Sequence, residues 1–66
     1  MKNKYYIYTD SGSAEVEANN VEEAIQEWGE APKWVKTVAD WEKWLDKIGG
    51  YGAIQENDLE IACVES

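Results

Sequence analysis

The chain contains no histidine, no arginine and no phenylalanine, and only one cysteine, one proline and one methionine among 66 residues. Each shortage removes a class of function. Without histidine, general acid–base work near neutral pH would fall to a carboxyl or lysine with a strongly shifted pKa. The carboxyls here sit in patterns that read as solvated, where they stay ionised. Ser11, Ser13 and Cys63 have no base beside them in any nucleophile pattern. A single cysteine is too few for a zinc site, and no spaced Asp/Asn calcium loop occurs. Gly49-Gly50-Tyr51-Gly52 follows a helical segment rather than opening one, and it lacks the lysine-serine/threonine ending of a phosphate loop. The chain therefore reads as non-catalytic, with no cofactor and no metal. Cys63 cannot form an internal disulfide, which points to a reducing, cytoplasmic setting. On an apolar strand it reads as a small core residue.

No run of about 18 apolar residues exists, and Met1-Lys2-Asn3-Lys4-Tyr5 leads into an alternating strand rather than an apolar signal core. Neither a membrane span nor a secretion signal is expected. What is abundant is negative charge. Fourteen acids face six lysines, a net charge of −8. That balance disfavours direct contact with nucleic acid, whose phosphates demand lysine or arginine, and it disfavours an anionic membrane surface. It favours solubility and attraction to a basic protein surface. Hydrophobic residues make up 44% of the chain, with four tryptophans and four tyrosines. This is enough for one small core, so residues 1–66 read as a single domain.

The periodicity gives an α+β order, ββα(β)αββ. Residues 4–9 are aromatic and β-branched and read as a strand. Asp10-Ser11-Gly12 turns the chain. Residues 13–18 alternate, with Ala14, Val16 and Ala18 opposite Glu15 and Glu17. The hairpin register is open. A three-residue loop buries Tyr6 and Tyr8, whereas a two- or four-residue loop buries Tyr5 and Ile7. In either case a large side chain lies beside Glu15 and Glu17 on the outer face. Asn20 reads as a helix N-cap with Glu23 as its capping-box partner. Val21, Ala24, Ile25 and Trp28 form one stripe, and Gly29 ends the helix.

Trp34–Val38 reads as a short extended piece after Pro32. A second helix runs from about Ala39 to Ile48, burying Val38, Trp41, Leu45 and Ile48 with Trp44 on the flank, and Gly49-Gly50 end it. Residues 51–56 and 59–64 form a closing hairpin around Asn57-Asp58. A regular ladder pairs Ile54 with Ile61 and places Gly52, Ile54, Leu59, Ile61 and Cys63 inward. The simplest packing is an antiparallel sheet of about four strands with both helices on one face.

The charges are segregated along the chain. Residues 5–32 hold seven acids and no lysine, and residues 49–66 hold four acids and no lysine. Glu23, Glu27 and Glu30 fall on one helical stripe if the helix extends that far, and like charges at that spacing repel. The partner-binding candidates are Glu15, Glu17, Glu22, Glu23, Glu27 and Glu30. Asp10, Glu56, Asp58 and Glu60 are secondary candidates. Trp34 and the outward tyrosines are candidate aromatic anchors. A second reading uses these aromatics alone, in a small protein–protein adaptor or regulatory module. Exposed edges at Trp34–Val38 or Tyr5–Tyr8 would allow a weak homodimer; otherwise the chain is a monomer.

In general character the whole chain resembles the small acidic proteins that phages use against bacterial defences, notably anti-CRISPR proteins. The lysine-free block from Asp10 to Glu30 and the acidic hairpin of Glu56, Asp58 and Glu60 carry the likeness. It implies a non-catalytic DNA mimic acting in the host bacterial cytoplasm. Its partner would be a basic DNA-binding subunit of a defence complex, whose Lys/Arg-lined channel the carboxylates would occupy.

Overall fold

A computed structural model describes residues 2–65. Strands β1 (Asn3–Thr9) and β2 (Gly12–Ala18) are followed by helices α1 (Val21–Trp28) and α2 (Val38–Ile48), then by β3 (Gly52–Glu56) and β4 (Leu59–Val64). The sheet order is β2-β1-β3-β4, and every neighbouring pair is antiparallel. β1 and β3 are therefore central. Tyr5–Tyr8 lies on β1 between two partners, so it is not an edge; the edges are β2 and β4.

Pairing of Thr9 with Gly12 leaves a two-residue loop at Asp10-Ser11. That loop settles the register. Tyr5 and Ile7 turn inward, 2% and 0% exposed, while Tyr6 and Tyr8 turn outward. Thr9 Oγ1 accepts from the Ser11 amide at 3.2 Å and steadies the turn. Both helices cover the inward face. Ala24 and Ile25 of α1 and Trp41 and Leu45 of α2 join Tyr5, Ile7, Ile54 and Ala62 in one core.

The helix ends follow the sequence closely. Asn20 Oδ1 accepts from the Glu23 amide at 2.8 Å, a cap worth about 0.5–2 kcal/mol. The Glu23 carboxylate does not complete the capping box; it accepts from Asn19 Nδ2 at 3.2 Å instead. Gly29 stops α1 in the left-handed region at φ 72°, which a glycine adopts without a Cβ penalty. Glu30 thus falls outside the helix and leaves the stripe of Glu23 and Glu27. α2 begins one residue before the expected start, at Val38, because Thr37 Oγ1 caps it by accepting from the Asp40 amide at 3.1 Å.

Three further expectations are corrected. Trp34–Val38 forms no strand. The Val35 amide closes a turn onto the Pro32 carbonyl at 3.0 Å, which buries Val35 and leaves Trp34 half exposed. Ile48 is 56% exposed, since it lies in the last turn where α2 runs past the core toward Gly49.

The third correction concerns β4. The tip of the closing hairpin is as expected, with Glu56 paired to Leu59 and Asn57 and Asp58 both at positive φ, as a tight two-residue hairpin turn requires. Beyond it, Ile54 pairs with Ala62 rather than Ile61, through a bulge. One extra residue reverses the facing of the rest of the strand. Ala62 is buried and Val64 partly so, while Ile61 and Cys63 are exposed. Leu59 precedes the bulge and keeps the facing of its partner Glu56, but at the hairpin tip it is 72% exposed. The bulge sets the smallest side chain of β4 toward α2, which packs against that strand.

Candidate functional site on the open sheet face

With both helices on one side, the other side of the sheet has no covering layer among the described residues. The strand registers assemble its residues into transverse rows. Glu15 pairs with Tyr6, Tyr6 with Gln55, and Gln55 with Glu60. The next row runs Ser13, Tyr8, Ala53, Cys63. Lys4 lies opposite Glu17. At ~4.8 Å per strand, the first row carries a carboxylate at each end of a span of roughly 14 Å, with a phenol between.

Tyr6 and Tyr8 stack along β1, their ring centroids 6.5 Å apart and their planes within 18°. Aromatic pairs of this kind contribute ~0.5–1.5 kcal/mol beyond their area. Tyr8 is 39% exposed, so it presents a ring to any partner. Partial burial pushes the Tyr6 phenol above its ordinary value, and the adjacent Glu15 carboxylate acts in the same direction. Lys4 Nζ approaches Glu15 Oε1 at 3.9 Å. Both side chains are about half exposed, so the pair is worth little and yields readily to a stronger cation.

The outward turn of Cys63 removes it from the core position that the sequence suggests. Burial among its neighbours raises the thiol above its ordinary value, followed by the carboxylates of Glu60 and Glu65. The thiol is therefore protonated and a poor nucleophile at neutral pH.

The fold does not gather every acidic candidate onto this face. Glu15, Glu17 and Glu60 lie here. Glu22 and Glu27 are exposed on α1, on the opposite side of the sheet. Glu56 sits at the helix-covered end of β3, where Glu56 Oε1 accepts from the Tyr5 hydroxyl at 3.3 Å; Glu23 also acts on that phenol. Asp10 and Glu30 line a cleft of ≈160 Å³ with Trp28 and Trp44. Asp58 occupies the β3–β4 turn. Residues far apart in sequence thus share a surface, and neighbours in the acidic block are divided by the sheet.

The aromatic half of the site was half legible. Tyrosines at successive positions 5 and 6, with another at 8, oblige β1 to show an aromatic on each face. The alternation around Gly52 and Ile54 turns Tyr51 and Gln55 outward as well, though nothing in the sequence ties either to a partner. Among the described residues, no cluster of three or more Cys, Asp or Glu is arranged to hold a metal ion.

The buried phenol of Tyr5 supplies a pH test. Burial raises it above its ordinary value, as do the Glu56 and Glu23 carboxylates, while Asn3 acts oppositely. A raised folded-state value means that the native state holds this proton more tightly than the unfolded chain. The contribution is intact below about pH 10 and disappears as pH rises through the folded-state value. Urea midpoints should fall above about pH 10. Tyr5→Phe should flatten that fall while costing about 0.5–1.5 kcal/mol at neutral pH through the lost hydrogen bond. An equally steep fall in the variant would remove Tyr5 as the cause.

No protein-family model, no curated protein and no solved structure matches this chain.

Proposed function

We propose that this protein is a non-catalytic inhibitor that lays its open sheet face on a basic, nucleic-acid-binding protein surface and blocks it by occupancy. The observation that supports this most is the row of Glu15, Tyr6, Gln55 and Glu60, with Tyr8 beside it. Interface energy concentrates in aromatic anchors and arginines. Here one phenol stands between carboxylates, with a second ring stacked beside it, on a paired strand framework. An arginine of the partner gains a carboxylate at its fork and a ring at its face. The exposed side of α1 is acidic as well, but its stripe of Val21, Ala24, Ile25 and Trp28 is turned to the core, and no aromatic anchor remains there. The net charge of −8 speeds encounter with a cationic partner. The likeness to phage anti-defence proteins points to a DNA-binding subunit of a bacterial defence complex as the target.

The test is competition. Once a partner has been captured from bacterial lysate and purified, the protein should displace labelled duplex DNA from it at equimolar stoichiometry. Affinity should drop at least tenfold between about 0.1 and about 0.5 M salt, as surface charge pairing is screened. A partner that keeps its DNA, with salt-insensitive binding, favours the adaptor reading instead. That second reading draws on Trp34 and Tyr51, 45% and 53% exposed, which need no charge to bind.

A further inference from the structure

At one end of the open face the sheet carries a groove of ≈480 Å³. This lies within the ~300–1,000 Å³ typical of pockets that enclose a side chain or small ligand. Its origin is local. Ala53 and Cys63 pair across β3 and β4 and offer only small side chains as a floor. Tyr8 pairs with Ala53 from β1 and stands as one wall. Tyr51, 53% exposed, borders the groove from the segment before β3. The bulge in β4 is what brings Cys63 to this side, so the groove exists because of the register shift that the sequence did not reveal.

The rim has one sign of charge. Glu65 borders the groove and no lysine does. Glu60 stands one transverse row away on the same strand as Cys63, opposite Gln55.

We infer that this groove receives an arginine-bearing loop of the protein partner, with an aliphatic side chain on the Ala53–Cys63 floor, the guanidinium against Tyr8 and its charge toward Glu60 and Glu65. This deepens the proposed function by assigning the partner's chemistry at one place on the same face. Charge complementarity selects the occupant. A second copy of a chain with net charge −8 brings repulsion, and a nucleic acid strand brings phosphates against carboxylates. A guanidinium meets both a ring face and an anion.

The test uses the labelled 66-residue chain and three probes in amide-detected NMR titrations. These are the acetylated tripeptide amide Arg-Leu-Arg, its Glu-Leu-Glu counterpart and a short oligothymidylate. Arg-Leu-Arg should give saturable shifts at Tyr8, Ala53 and Cys63. The binding should weaken at least tenfold in Cys63→Trp, which fills the groove from an exposed position, and in Glu65→Lys, which reverses the rim. Glu65→Lys sits beyond the last strand, so it keeps the test alive if Cys63→Trp does not fold. Equal saturation by Glu-Leu-Glu, tighter binding of the oligonucleotide, or no saturable shift with Arg-Leu-Arg overturns the inference. The outcome is separable from the larger reading. If Glu15→Lys with Glu17→Lys abolishes partner binding while Cys63→Trp and Glu65→Lys leave it intact, the face remains the interface and the groove is not part of it.

Discussion

Gly52→Ala is expected to lower the thermal midpoint of unfolding by at least 10 °C. A Cβ at this position would lie 2.5 Å from the Tyr8 carbonyl oxygen, 3.1 Å from Leu45 Cδ1 and 3.2 Å from Trp41 Cη2. The first contact is with main chain, on a strand paired through the Thr9–Gly52 register, so relief means parting β1 from β3. The others are with the two largest core residues of α2, each at most 1% exposed. Overpacking of this kind costs about 1–3 kcal/mol and sometimes more. A domain of this size holds roughly 3–10 kcal/mol in all, at ~0.05–0.15 kcal/mol per residue, and each kcal/mol is worth about 4–8 °C. Gly50→Ala is the control. Its Cβ would meet only side-chain carbons of Leu45 and Ile48, at 3.4 and 3.5 Å, and the midpoint should move by a few degrees. Equal effects from the two variants would mean that α2 does not rest on Gly52 as described. Among the described residues the buried Nε1 of Trp41 has no hydrogen-bond partner, so its side chain contributes here through packing.

Charge reversal on the open face should have the largest effect on binding. Glu15→Lys with Glu17→Lys should weaken a cationic partner by at least a hundredfold, about 2.7 kcal/mol. Both the attraction and its sign change, and like charges across an interface cost several kcal/mol. The fold should survive, because both side chains are exposed. Opposing Lys4 with new lysines across the strands costs only ~0.2–1 kcal/mol. The matched control is Glu22→Lys with Glu27→Lys, an identical charge change on α1. It should alter binding less than about tenfold, through the long-range field alone. If the α1 pair abolishes binding and the strand pair does not, the helix is the interface.

Much of the architecture was readable from the residues because local rules agree with one another. Asn20 and Thr37 can each cap a helix, the glycines after Trp28 and Ile48 end one, and Asn57-Asp58 turns a hairpin. The four-stranded antiparallel sheet with two helices follows from those punctuation marks and from the periods between them. What was hidden depends on contacts between elements. The β4 bulge answers to the space that α2 leaves over the sheet, so Ala62 rather than Ile61 goes inward, and nothing in Leu59–Val64 announces it. Trp34–Val38 has the composition of a strand, but a turn at Pro32 and the Thr37 cap take up its residues. The acidic block reads as continuous in sequence. The pairing of β2 with β1 separates Glu15 and Glu17 from the α1 acids, and the pairings of β1 with β3 and of β3 with β4 bring Glu15 level with Glu60.

The central claim is that the open sheet face, rather than the helix layer, meets a basic partner. Cross-saturation NMR on the labelled protein in its purified complex tests it most directly. Signal loss should centre on the amides of Tyr6, Tyr8, Glu15, Glu17, Gln55 and Glu60, with α1 and α2 unaffected. Loss centred on Glu22, Gln26 and Glu27, with the strands silent, would contradict it.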